Sequence, residues 1–228
     1  MKAKIIMLSA LGVASFGLTQ AASAWTSGDC SATSTRPCIE HSDGYYFTNT
    51  GVWEGDPTTG APFTFSGSTV LTCGSNVVDC TLSLEGKARI EMDGSTPKVG
   101  IEVSNGSVTG GFLCGFVNVG GFPWYIDENN EHGPYSNAAS VGIPYNAGST
   151  PPINFIGSIG TIDVSVPLLG INVTDGHMHD VTYNNSDTFS FGTGSLDPNI
   201  YDQNENATGC TVSGDLQLQP SGDTLTIF

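Results

Sequence analysis

Ala88-Arg89-Ile90-Glu91-Met92-Asp93-Gly94-Ser95-Thr96-Pro97-Lys98-Val99-Gly100-Ile101-Glu102-Val103 decides the fold class. Residues 88–92 and 99–103 alternate polar and apolar side chains, the period of a strand with one buried face. Between them, residues 92–97 hold Asp-Gly followed by Pro, which is turn chemistry. The stretch predicts two strands joined by a tight loop. The same signals recur on either side. Phe63-Thr64-Phe65 and Thr69-Val70-Leu71 bracket a predicted Ser-Gly-Ser turn, and residues 77–84 alternate again. Asn105-Gly106 predicts a hairpin leading to Val108 and the apolar run 112–119. Further strands are predicted at 153–156, 161–166, 168–173, 181–183, 188–191, 211–218 and 224–228.

No long Ala/Leu/Glu/Lys segment with a 3.6-residue period interrupts this series beyond residue 24. Short strands spaced by turns every eight to twelve residues predict an all-β chain, a single β-sandwich of jelly-roll or immunoglobulin-like type over 63–228. Residues 122–152 break the rhythm with five prolines and Asp127-Glu128-Asn129-Asn130-Glu131. That long excursion is where a partner surface is expected. Residues 25–62 are Thr/Ser/Gly-rich and carry Cys30, Cys38, Trp53 and Tyr45-Tyr46-Phe47. They predict a disulfide-stapled N-terminal extension packed on the sandwich.

The first 24 residues have the three parts of a secretory signal peptide. Lys2 and Lys4 supply positive charge, residues 5–18 an apolar stretch, and Ala22-Ser23-Ala24 a small-residue cleavage site. The mature chain would begin at Trp25 and carry 22 acidic residues against four basic ones (Arg36, Lys87, Arg89 and Lys98), a formal charge of −18. Such a surface repels nucleic acid and anionic lipid headgroups. No mature segment reaches the roughly 18 apolar residues of a membrane-spanning helix. The expected setting is secreted, extracellular or at the cell surface.

All six cysteines follow the cleavage site, where an oxidising compartment lets them pair. Six cysteines allow fifteen pairings. Proximity in sequence suggests Cys30–Cys38 and Cys73–Cys80, with Cys114–Cys210 as a long tie. The two-residue spacings of a zinc–thiolate site are missing.

His177-Met178-His179 is the most chemical cluster of the chain. On a strand, His177 and His179 share one face and can jointly ligate a metal, with Asp175 or Asp180 adding an oxygen. The competing reading is a solvated hairpin tip made by Asp175-Gly176. Asp127, Glu128 and Glu131, or Asp197, Asp202 and Glu205, offer at most weak Ca²⁺ binding, since both sets lack the register and Gly of a calcium loop. No other cofactor is implied. No Gly-x-Ser-x-Gly elbow is present, and the histidines have no recognisable triad context. Trp53, Trp124 and Tyr125 are candidates for a carbohydrate-stacking platform; the alternative is burial in the core.

Gly111-Phe112-Leu113-Cys114-Gly115-Phe116, the following Phe122-Pro123-Trp124, and the tail Gly209-Cys210-Thr211-Val212-Ser213-Gly214-Asp215-Leu216 carry a resemblance. Over about residues 60–228 the chain resembles the alkane-oxidation activator proteins, a small exported bacterial family that includes biofilm-matrix adhesins. The resemblance implies a secreted matrix or adhesin-like protein, with Cys114 and Cys210 as its structural pair and no catalytic residues. The expected function is therefore non-enzymatic surface association or self-assembly with a matrix polymer or surface. The alternative is a secreted β-sandwich hydrolase or carbohydrate-binding protein.

Overall fold

A computed structural model describes residues 24–129, 142–146, 154–184 and 187–228. Its strands are β1 (Thr26–Ser27), β2 (Ile39–His41), β3 (Tyr45–Phe47), β4 (Phe63–Cys73), β5 (Asn76–Asp93), β6 (Thr96–Gly110), β7 (Asn118–Gly120) and β8 (Trp124–Glu128), then β9 (Ile143–Pro144), β10 (Phe155–Val166), β11 (Ile171–Asn184), β12 (Thr188–Phe191), β13 (Asn199–Tyr201), β14 (Ala207–Gln219) and β15 (Leu225–Ile227). The 88–103 hairpin forms as read: Ala88 faces Ile101, Ile90 faces Val99 and Asp93 faces Thr96 across the turn at Gly94 (φ 60°). Its strands run much further than the alternating runs, because the ladder continues back to Cys80↔Gly110.

Two predicted turns are strand interiors instead. Ser66-Gly67-Ser68 runs straight through β4, where a Cβ on Gly67 would meet the Asp215 carbonyl at 2.1 Å. Asn105-Gly106 lies within β6 beside a register shift at Glu85/Gly86, and a Cβ on Gly106 would meet the Phe122 ring at 2.8 Å. Both glycines permit close approach of a neighbouring strand or ring rather than reversal of the chain.

The sheet architecture corrects the sandwich expectation. β4, β5, β6, β8, β10, β11, β12 and β14 pair in that order, each antiparallel to the next, and β14 pairs back onto β4 from Cys210↔Cys73 to Gln219↔Thr64. The result is a closed eight-stranded barrel. Closure satisfies the backbone hydrogen bonds of strands that would otherwise be edges. β7, β9 and β13 attach to β10, β6 and β11/β14.

Eight strands leave an interior that side chains can fill. Leu82, Ile159, Met178, Val181, Phe191 and Val212 fill one half around a cavity of about 70 Å³. Phe65, Ala88, Val99, Val103 and Tyr183 fill the other around about 40 Å³. Leu84 and Phe189 line both, forming the layer between them. Polar residues such as Asp79, Thr81, Ser83 and Glu85 alternate with the inward row of β5. This polarity is the reverse of an outer-membrane barrel, whose apolar band faces lipid. Among the described residues no helix is long and apolar enough to cross a membrane.

The extension forms a second sheet in the order β1-β3-β2-β15. Its last strand comes from the C-terminal end of the chain, so 63–228 is not a self-contained sheet. Ile39, Phe47, Leu225 and Ile227 belong to the same buried cluster as the barrel interior, and Trp25 packs edge-on against Phe47 and Phe63. The small sheet covers the barrel end opposite the β4–β5 turn.

Three disulfides form: Cys30–Cys38, Cys73–Cys210 and Cys80–Cys114. The first matches the sequence reading. Cys73–Cys80 does not form, because the β4–β5 register sets Cys73 opposite Asn76 and Cys80 opposite Thr69. Cys73 instead faces Cys210 across the closing seam, and Cys80 reaches Cys114 in the 3₁₀ turn Phe112–Phe116. The Cys114–Cys210 pair implied by the family resemblance is overturned with it. Peptide mapping without reduction should recover these two linkages and no Cys73–Cys80 peptide. The 137-residue separation of Cys73 and Cys210 makes it the most stabilising tie, about 5 kcal/mol on the loop-entropy model, against about 4 for Cys80–Cys114 and about 2–3 for Cys30–Cys38. Paired Cys→Ser variants should lose denaturant stability in that order.

Candidate functional site

Asp175-Gly176-His177-Met178-His179-Asp180 is strand, not hairpin tip. The β10–β11 register shifts three times along the stretch of β11 that carries the histidines, between Gly157/Ile159, Gly160/Ile162 and Ile162/Val164. Asp175 (φ 49°) and Asp180 (φ 55°) take the left-handed conformation there, which Asp tolerates better than most residues. Bulges re-aim side chains. Met178 points into the barrel cavity, so His177 and His179 share the outer face, as the strand reading requires. Both are buried.

What covers them is the β13–β14 connection. Tyr201, opposite His177 in the ladder, lays its ring over both imidazoles at 5.7 and 5.1 Å. Glu205 places one carboxylate oxygen 2.7 Å from His177 Nε2 and the other 3.1 Å from His179 Nε2. His179 Nδ1 lies 2.7 Å from Ser158 Oγ on β10. His177, His179 and Glu205 are the one group among the described residues with the composition and convergence of a metal-ligand set.

The carboxylate beside the histidines is that of Glu205, not of Asp175 or Asp180. Asp180 accepts from Asn129 Nδ2 at 2.6 Å and from the Asp197 N–H at 3.4 Å, and Asp175 is exposed. The sequence grouped Glu205 with Asp197 and Asp202 as an acidic loop, but those two do structural work. Asp202 accepts from the backbone N–H of Asn206 and Asn204, which holds its carboxyl below the usual range. Burial pushes Asp197 up, but hydrogen bonds from Tyr201 and Asn199 outweigh it and lower the carboxyl. In the other acidic set, Asp127 accepts from the Glu128 N–H, Glu128 pairs with Lys98 at 3.0 Å, and Glu131 lies outside the described residues.

Neither Trp124 nor Tyr125 offers an open stacking face. Trp124 lines the barrel cavity, stacks on Phe122 and donates from Nε1 to the Gly120 carbonyl. Tyr125 lies on the outer side under Trp53, which also carries the Arg89 guanidinium 4.3 Å from its ring centre. Core packing and a cation–π contact account for these rings. Burial, then the Glu102 carboxylate 3.1 Å from its hydroxyl, push Tyr125 from 10.0 up to about 12. The unfolded chain therefore releases this proton first, and stability falls as pH rises through that interval. Tyr125→Phe should flatten the alkaline loss of stability, read from urea midpoints on either side of the window.

The barrel end opposite the small sheet has a different surface. The 3₁₀ turn Phe112–Phe116 and the β10–β11 turn at Pro167–Leu169 both pack on a small cluster of Val78, Cys80 and Cys114 through Leu113 and Leu169. Around that stapled cluster Phe112 (78 % exposed), Leu168 (56 %), Val77 (60 %) and Phe116 (37 %) face outward, with the two phenylalanine rings 5.2 Å apart. Gly111 to Phe116, quoted above for a family resemblance, builds this surface.

A family model described as alkane oxidation protein activator PraA/PraB-like matches residues 53–226, from Trp53 through nearly all of β15. The chain belongs to this family. No curated protein and no solved structure matches it. The matched region takes in all eight barrel strands, the exposed apolar turn, both barrel disulfides and the His177–His179–Glu205 cluster.

Proposed function

We propose that this chain is an exported, non-enzymatic matrix or cell-surface protein that acts by association through the apolar end of its barrel. The observation that carries this reading is the outward set Val77, Phe112, Phe116 and Leu168. Clustered exposed apolar side chains around a rigid, disulfide-tied base favour contact with another apolar surface. Family membership supports it, since the turn that displays Phe112 and Phe116 lies within the matched region. The leader-like residues 1–24 support export, although residues 1–23 lie outside the described structure. Three disulfides with no free cysteine among the described residues suit an oxidising compartment.

The closed barrel redirects the self-assembly idea. Donor-strand exchange or edge pairing needs a long free edge, and closure pairs both sides of β4 and β14. The small sheet ends in β1 and β15, of two and three residues. Association therefore runs through side chains at the barrel end, including the 166–171 turn. The strong negative charge keeps the rest of the surface solvated.

The double variant Phe112→Ser/Phe116→Ser should keep the native circular dichroism spectrum and lose most adsorption to apolar surfaces and most concentration-dependent sedimentation. Unchanged adsorption and sedimentation in the folded variant would refute the reading. So would turnover of a polysaccharide or ester by the purified monomer.

A further inference from the structure

The His177–His179–Glu205 cluster asks for a cation. Each imidazole aims Nε2 at a different oxygen of one carboxylate, at 2.7 and 3.1 Å, and the three donor atoms lie within 4.8 Å of one another. Zinc bonds to nitrogen and oxygen of about 2.0–2.2 Å in a tetrahedral array separate neighbouring donors by roughly 3.3 Å. The arrangement is thus close to a coordination sphere before any ion enters.

Ser158 and Asn129 support the other ring nitrogen of His179. Asn129 Oδ1 accepts from the Asp180 N–H at 2.9 Å while its Nδ2 donates to the Asp180 carboxylate, which fixes the amide orientation. Ser158, fully buried, donates its hydroxyl to that Oδ1 at 3.4 Å. The same hydroxyl lies 2.7 Å from His179 Nδ1. A ligating histidine whose other ring nitrogen is held by a buried hydroxyl has the usual support of a metal site.

We propose that His177, His179 and Glu205 bind one divalent transition-metal ion of the zinc class. Two imidazoles and a carboxylate suit zinc and its neighbours rather than Ca²⁺ or Mg²⁺, which take oxygen sets. Glu205 is partly exposed, giving the ion an entry path and a fourth position toward solvent. The ion would staple the β13–β14 connection to β11, reinforcing the ladder pair His177↔Tyr201 and the Tyr201 ring over both imidazoles. This assignment does not depend on the association proposed above.

The test uses the purified full-length mature protein, stripped of metal and titrated with Zn²⁺ by calorimetry, with thermal melts in Zn²⁺, Ca²⁺ and Mg²⁺. One Zn²⁺ per chain and a higher melting temperature in Zn²⁺ alone are expected. Glu205→Gln keeps the side-chain size and should weaken Zn²⁺ binding about 100-fold, and Ser158→Ala, which removes the hydroxyl shared by His179 Nδ1 and Asn129 Oδ1, about tenfold. Metal-free melts of both variants establish that they fold. Absence of Zn²⁺ binding by the native chain overturns the assignment, as does unchanged affinity in folded Glu205→Gln.

Discussion

The pairing of β14 with β4, from Cys210↔Cys73 to Gln219↔Thr64, converts an open antiparallel meander into a barrel. Without it, β4 and β14 would expose two long rows of backbone donors and acceptors, and the apolar faces of eight strands would lack a common interior. The seam is fitted closely. Gly67 and Gly214 have no Cβ where the opposing backbone or the Thr69 side chain comes within 3 Å, and the Cys73–Cys210 bond ties its end. The chain ends that follow and precede the seam build the small sheet that covers one mouth of the barrel.

Closure leaves two distinct surfaces, and the two proposals rest on them. Among the described residues the interior is lined by apolar side chains around small cavities of about 70 and 40 Å³. One end is buried under the small sheet. The other is held rigid by the Cys80–Cys114 bond and still turns Phe112, Phe116 and Leu168 outward. On the barrel wall, the irregularities around His177–His179 present two imidazoles to a carboxylate from a distant loop. The proposed association and the proposed ion binding lie on different parts of one scaffold, so they can be tested separately.

Much of the fold was legible in the chain. The period-two runs around Ala88–Val103, the Asp-Gly turn and the absence of helical periodicity gave an all-β protein. The family resemblance on Gly111–Phe116 and Gly209–Leu216 agreed with the match to residues 53–226. Closure was not legible, because local alternation marks a strand's faces and says nothing about its lateral neighbour. Gly67 and Gly106 were read as turns since the same residue serves both turns and close approach. The cysteine pairing failed for a related reason. Proximity in sequence favoured Cys73–Cys80, but strand register and the seam decide which sulfurs meet. Of the candidate metal site, His177 and His179 were legible from strand geometry. Glu205 lies 26 residues beyond His179 in a loop with other acids, and only the β11–β13 pairing brings it over the histidines.

Amide hydrogen exchange along β4 and β14 tests the closed barrel most directly. An edge strand protects alternate amides only, since every second N–H faces outward, whereas a strand paired on both sides protects consecutive ones. Slow exchange at successive residues Val70, Leu71 and Thr72, and at Thr211, Val212 and Ser213, is the predicted result. Alternating fast and slow exchange along either segment would contradict the account.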